Sequence, residues 1–489
     1  MLFGSFVHPL IVQHGAMTEP TGRGSGQPHQ PGLAWQRWLR SEEPTGPVPL
    51  VDRLRGTPFR DPSRMGAPQE EQAREVIEFG LRLGDLLLRS GSGTRDVEAA
   101  LIAVTAAMGL TDVEVDITAQ SILLQHAPAG GRPVNLLRVA RTQSRDHARL
   151  ADAYRLVSDL VAGRCSREEA DRRLTEIETR PKPWPRWVVS VAYGLLAAAV
   201  CALVGGGARA TALAFVASVA VDRLGRYLGR RRLVPFFITF VGAAIAAVVT
   251  VLAAELELIG PRDAGAVIAG GIVVLLPGRL LVAAVEDAIF GFSVTASGRV
   301  LQVLLTGAAI ISGTAIGLGL AQRLDLDLVV DLTGTTAVDV VRGLVCAAVA
   351  SLATAVAYRS PRRLVLPPVL IGVIGYAIYG LLRVSDLAGP TAATAAAAVV
   401  VGLLARLLAA RMTAPALVLS VPALSTLLPG LAIFRAMSLL SSDPQAGIGQ
   451  LFLAMATALA IGAGVALGDV LAAPADRWWL RRAAARPSP

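Results

Sequence analysis

The sequence predicts a polytopic α-helical membrane protein of about ten transmembrane helices, in two inverted five-helix repeats, preceded by a small α+β cytoplasmic domain. Three observations carry that expectation. The 489 residues are 53% hydrophobic and only 17% charged, with a mean hydropathy of +0.55, too apolar for a chain of soluble domains. After Trp184 apolar segments follow one another almost without a break, most with the roughly 20 residues that cross about 30 Å of hydrocarbon. The tetrapeptide Leu275-Leu276-Pro277-Gly278 returns 152 positions later as Leu427-Leu428-Pro429-Gly430, each time inside an apolar segment.

Residues 1–68 read as a disordered tail, rich in Gly, Pro, Ser, Gln and Arg and unable to bury enough apolar surface to offset its ordering entropy. Met1 to Ala16 lack a charged n-region and a small-residue cleavage site, and Met17 is an alternative start. Residues 69–183 read as the α+β domain. Val76, Phe79, Leu83, Leu86 and Leu87 fall at helical spacing, with Gly91 as a stop. Thr94 is the expected N-cap of a second helix, with Asp96 in its first turn. Val113, Val115 and Ile117 alternate as in a strand, and apolar runs at 122–124 and 134–139 add two more. Two helices close the domain, the last opening on the capping box Ser166 to Glu169.

Apolar spans follow near 187–206, 209–222, 234–254, 264–285, 300–321, 338–358, 364–382, 390–408, 415–434 and 448–472, the second being short. They divide into halves at 184–322 and 323–475, with a basic tail at 476–489. If the α+β domain is inside the cell, inside loops carry Arg223, Arg226, Arg230, Arg231, Arg232, Arg299, Arg359, Arg362, Arg363, Arg406 and Arg411. Outside loops carry Glu255, Glu257, Asp263, Asp325, Asp327, Asp331 and Asp339 instead. That asymmetry, with Trp184, Trp187, Trp478 and Trp479 flanking the first and last spans, places both termini in the cytoplasm and the chain in the plasma (inner) membrane. The net charge of +9 therefore reads as membrane orientation; Lys182 is the only lysine, and no aromatic-interleaved basic patch suggests nucleic acid.

The motif falls in the fourth span and again in the ninth. Five spans per half is an odd number, so the second half runs in the opposite sense across the bilayer. Proline removes an amide donor and clashes with the preceding turn, so such breaks persist in lipid only where protein or a wet cavity covers them. Secondary transporters build midplane sites this way, although a plain proline kink is the simpler alternative.

The chain resembles the threonine/serine exporter family (ThrE) over about residues 70–473. The resemblance rests on Gly84 to Thr94 (GDLLLRSGSGT) with Val97 and Glu98, on Leu276-Pro277-Gly278, on Glu286, Asp287, Gly291 and Ser297-Gly298-Arg299, and on Leu428-Pro429-Gly430. It implies a cytoplasmic domain before ten spans and export of small hydroxy amino acids, threonine and serine, driven by protons. Related two-protein systems linked to succinate keep dicarboxylate export open as an alternative. A channel and a membrane-anchored hydrolase are further alternatives.

Leu276, Pro277, Gly278, Arg279, Leu428, Pro429 and Gly430 are the expected substrate-binding residues. A half-helix opening after Pro277 directs the amides of Gly278 and Arg279, at its positive end, toward a carboxylate. Glu286, Asp287 and Asp469 are the candidates for proton coupling, since an acid at membrane depth usually faces a cavity or a partner. Thr306, Ser312, Thr314, Ser420, Ser425 and Thr426 could meet substrate hydroxyls or pack helices. No enzymatic activity, cofactor or metal is expected: Cys165, Cys201 and Cys346 are scattered, Asp112, Glu114 and Asp116 read as a solvated strand face rather than a hard-metal site, and His126 and His147 lack a partner pattern. The expected partners are the substrate, protons and the bilayer; a homo-oligomer is compatible with the sequence.

Overall fold

The structure is a computed structural model that describes residues 57, 59, 70–118, 120–127, 133–140, 144–324, 337–427, 436, 439 and 443–484, all within one compact unit. The expected tail at 1–68 lies outside them except for residues 57 and 59.

The α+β segment opens with α1 (Glu70–Ser90), whose Val76, Ile77, Phe79, Leu83, Leu86 and Leu87 are buried at the predicted spacing. Gly91, at φ +97°, ends it: this left-handed conformation suits a residue without a Cβ and lets the Gly91 amide close on the carbonyls of Leu87 and Leu88. α2 (Thr94–Ala107) follows. Strands β1 (Val113–Ile117), β2 (Ser121–His126) and β3 (Val134–Val139) form an antiparallel meander in which Leu124 pairs with Val115 and Leu136. Ile122 and Leu124 are fully buried beneath α1, which approaches so closely that a Cβ on Gly84 would lie 2.9 Å from Ile122. Buried Asp85 pairs with Arg89 of its own helix (2.6 Å) and ties α1 to β3 through Arg138 (3.0 Å). The family motif around Gly84 and Asp85 thus holds helix against sheet.

Two helices complete the segment, α3 (His147–Val161) and α4 (Arg167–Thr179). Ser166 caps α4 by accepting from the Glu169 amide (3.2 Å), as the capping box requires, but its hydroxyl donates to Glu168 (2.9 Å). One expectation changes. Gly93 is the N-cap of α2 and Thr94 its first helical residue, because the Thr94 hydroxyl is engaged elsewhere, on Asp287.

The apolar part comprises α5 (Arg186–Leu203), α6 (Ala208–Arg230), α7 (Pro235–Glu255), α8 (Pro261–Val273), α9 (Gly278–Ile289), α10 (Ser293–Arg323), α11 (Ala337–Ala357), α12 (Leu366–Val384), α13 (Pro390–Met412), α14 (Ala416–Ala423) and α15 (Pro444–Ala484). Among the described residues seven helices are long and apolar enough to cross a membrane: α5, α7, α10, α11, α12, α13 and α15. α8 and α9 are together apolar enough for an eighth and are bent by 62° at the break between them, the geometry of a broken span or of a re-entrant loop. Two expected spans stand apart. α6 is continuous but carries Asp222, Arg223, Arg226 and Arg230, and α14 runs only eight residues before the chain leaves the described region.

Small residues let these helices approach. Gly313 and Gly317 of α10 lie on the backbone of α7, and Gly402 and Gly468 lock α13 against α15. Leu301, Leu304, Phe452 and Leu459 point outward, as lipid-facing side chains do.

Candidate functional site

The break between α8 and α9 forms as the sequence predicts. Val273 ends α8, Pro277 occupies the N-cap of α9, and Gly278 begins it. Leu275 and Leu276 donate to Ile272 and Val273 in tight turns, and the Pro277 carbonyl takes the Leu281 amide at 3.0 Å. The first turn of α9, starting at Gly278, forms the positive end of the helix.

Leu276, Gly278 and Arg279 line a cavity of about 30 Å³. By the roughly 10 to 15 Å³ that one water requires, it has room for two or three. It is also lined by Tyr193 of α5, Thr354 of α11 and Tyr358 just beyond it, and Val421, Leu424 and Ser425 at the end of α14. Leu424 and Ser425 immediately precede the second Leu-Leu-Pro-Gly, so the approach to that segment faces the first break. Leu428, Pro429 and Gly430 themselves lie outside the described residues. The sequence did not single out Tyr193, Thr354 or Tyr358, which are conspicuous only once packing brings them to the same cavity as Arg279.

The α+β segment packs against three of the residues that line this cavity, Arg279, Tyr193 and Tyr358. A Cβ on Gly91 would overlap the Arg279 guanidinium, and Arg279 is only 8% exposed. Arg145 donates to the Tyr193 hydroxyl at 2.8 Å and stacks over the rings of Tyr193 and Tyr358. The His147 amide donates to the Tyr358 carbonyl at 2.9 Å, and its ring meets Tyr358 edge-on at 5.2 Å. The imidazole is wholly buried, with Ser360 Oγ 3.3 Å from Nδ1. That burial, helped by the positive charge of Arg279, lowers its pKa from 6.5 to about 3, so His147 is neutral at physiological pH.

A second crevice, of about 50 Å³, lies where the start of α2 meets α9, α13, α14 and α15. Glu286, Asp287 and Asp469 all line it, together with Asp96 of α2, Arg406 of α13 and Ser420 of α14. The three expected coupling acids, from two spans far apart in sequence, are therefore brought together, but their surroundings differ. Asp287 is 1% exposed: Arg299 contacts it at 2.7 Å, and the Thr94 amide and hydroxyl each donate to it at 3.1 Å. Asp469 pairs with Arg406 at 3.2 Å. Among the described residues, no hydrogen bond or ion pair holds Glu286. Asp96 stays open to solvent at the crevice mouth, yet the protein around it, and then the charge of Asp469, raises its pKa; its exposure keeps that effect modest.

The other candidates are placed plainly. Thr306 and Thr314 bond the carbonyl one turn back, Ser312 is exposed, and Thr426 has a buried hydroxyl with no partner. Asp112, Glu114 and Asp116 are exposed, and no group of three metal-binding side chains occurs among the described residues. His126 meets only the Asp112 carbonyl.

A bundle of membrane-length apolar helices, with a bent helix pair whose first turn and buried arginine line a cavity, describes a multi-pass membrane protein. The family described as "Putative threonine/serine exporter" (ThrE) matches residues 78–321, and the one described as "Threonine/Serine exporter, ThrE" matches 343–471. A Mycobacterium tuberculosis protein named "Probable threonine/serine exporter" is 37% identical over 88% of this chain and 81% of its own. The "Threonine/serine exporter" of Corynebacterium glutamicum is 31% identical over 87% of this chain and 88% of its own. An Escherichia coli protein named "Probable succinate transporter subunit YjjP" is 26% identical over 47% of this chain and 89% of its own. No solved structure matches significantly. The chain belongs to the threonine/serine exporter family.

Proposed function

We propose that this protein exports threonine and serine across the plasma membrane, driven by the proton motive force, with substrate bound at the Leu-Pro-Gly breaks. The observation that carries the reading is the cavity where Gly278 and Arg279 at the start of α9 face Ser425 beside the second break. The substrate carboxylate meets Arg279 and the first amides of α9, and Pro429-Gly430 supplies the inverted counterpart. Ten spans in two inverted halves, with both termini inside, complete the arrangement; α6 and the segment beginning at α14 are the two spans that make ten. The domain at 69–183 is then cytoplasmic and closes the inner mouth through Gly91, Arg145 and His147.

The cavity of about 30 Å³ is smaller than an amino acid, so loading requires the bundle to open around it. Glu286 is the proposed proton carrier, since Asp287 is committed to Arg299 and Thr94 and Asp469 to Arg406. An acid without a fixed partner can change protonation without breaking the fold.

Purified protein in threonine-loaded liposomes with an imposed pH gradient tests the reading. Gradient-dependent threonine efflux, lost in Gly278→Leu, is the expected result. Efflux indifferent to the gradient, or currents in its absence, would sink the coupled mechanism in favour of a channel. A dicarboxylate substrate is the second reading, favoured by the anion-directed Arg279 and the succinate-linked relative. Inhibition of threonine efflux by excess succinate would support it.

A further inference from the structure

We propose that Thr354 and Ser425 read the side-chain hydroxyl of the transported amino acid and thereby set the preference for threonine and serine over their hydroxyl-free counterparts. The inference rests on the cavity being the substrate site, and adds to it which residues confer specificity. It comes from an exception in how this protein satisfies its buried hydroxyls.

A threonine or serine buried in a membrane helix ordinarily donates to the carbonyl one turn back, because nothing else is available in hydrocarbon. Thr250, Thr314 and Thr394 do so here, at 2.7, 2.9 and 2.8 Å. Thr354 is equally buried, 4% exposed, in the last turn of α11, and Ser425 is 3% exposed just past α14. Neither hydroxyl has a hydrogen-bond partner, and both line the cavity that holds Arg279. Buried hydroxyls are seldom left unpaired, and one that is marks a place where a partner arrives from elsewhere.

Among the described residues three other buried hydroxyls also lack a partner, those of Ser90, Ser351 and Thr426, but none of these residues lines the cavity; Ser351 points at Gly372 of α12. The orphan pair lines the same cavity as the Arg279 guanidinium that receives the carboxylate. A substrate anchored by its carboxylate at Arg279 presents its side chain to the rest of the cavity wall, where a β-hydroxyl can both donate and accept. A substrate with a methyl group in that position leaves both protein hydroxyls unpaired. This is how a polar site rejects an apolar isostere far more strongly than an apolar site rejects a polar one.

The test measures export of threonine against valine, its shape match, and of serine against alanine, from liposomes loaded with each pair, for the unaltered protein, Thr354→Val, Thr354→Ser and Ser425→Ala. We expect the unaltered protein and Thr354→Ser to favour the hydroxy amino acids. Thr354→Val and Ser425→Ala should lower threonine and serine export by about tenfold or more while sparing valine and alanine, so that the preference collapses. Variants that keep the original ratio, whether or not their rates fall, overturn the proposal and leave the substrate site standing. Loss of all threonine export in Arg279→Gln with no change in the ratio for Thr354→Val separates the two in the same way. Should Thr354→Val fail to fold, Ser425→Ala and thermal stabilisation of the unaltered protein decide the matter: valine stabilising it as well as threonine does overturns the inference.

Discussion

Asp287 is the residue at which the α+β segment and the membrane helices are most tightly joined. Its two carboxylate oxygens take the Thr94 amide and hydroxyl, and Arg299, itself 7% exposed, neutralises it while reaching toward the Ser92 and Ala283 carbonyls. Asp287→Ala strands the guanidinium, and breaking a buried pair from one side costs about 3 to 5 kcal/mol. The expected outcome is a clearly lowered melting temperature in detergent and faster hydrogen exchange at the start of α2; unchanged exchange there would show that Asp287 does not hold the segment. His147 supplies a pH test. Its pKa is about 3 when buried against Tyr358 and returns toward 6.5 once exposed, so the released form binds the extra proton. Docking is therefore full above about pH 6.5 and weakens as pH falls toward 3, by up to about 1.4 kcal/mol per unit. Protection of the Gly91 and Ser92 amides, taken relative to their intrinsic exchange at each pH, should fall between pH 6.5 and 5 in the unaltered protein and less so in His147→Gln.

At the scale of elements, the broken span is where the sequence was most informative. Pro277 ends one helix and starts the next for a local reason, the missing amide and the ring's clash with the preceding turn, so the position of the break needed no tertiary information. Pro277→Ala restores a donor, and we expect it to straighten the 62° bend and slow threonine export by an order of magnitude or more; spin labels on α8 and α9 would report the angle, and an unchanged distance would show that packing, not proline, sets it. The cap of α2 was less legible. Thr94 has the right chemistry to cap its own helix, yet Gly93 takes that place and an acid 193 residues away receives the Thr94 donors. A local reading assigns a hydroxyl to the nearest backbone amide, and only the docked fold offers Asp287 instead. Thr354 was missed for the same reason: within α11 it is one more small helix residue, and its orphan hydroxyl appears only when α5, α9 and α14 close around it.

For the whole molecule, the proposed inverted halves and inside termini are open to direct measurement. A cysteine at Glu257→Cys should react with a membrane-impermeant maleimide on intact cells, whereas one at Arg231→Cys should react only after the membrane is opened; the reverse pattern would invert the topology. Hydropathy, the arginine map and the paired tetrapeptides determined by themselves that this chain crosses a membrane many times behind an α+β segment, that one span is broken at Pro277, and, with the ordered short motifs, which family it belongs to. These are properties of single segments, set by transfer of apolar side chains and by proline's missing donor. Tertiary structure alone decided that Glu286, Asp287 and Asp469 share one crevice with Asp96, that Gly91 covers Arg279, and that Thr354 and Ser425 face the same cavity. Each of those meetings joins residues from different helices, and the distances between them depend on how small residues let the helices approach, which no segment's own pattern contains.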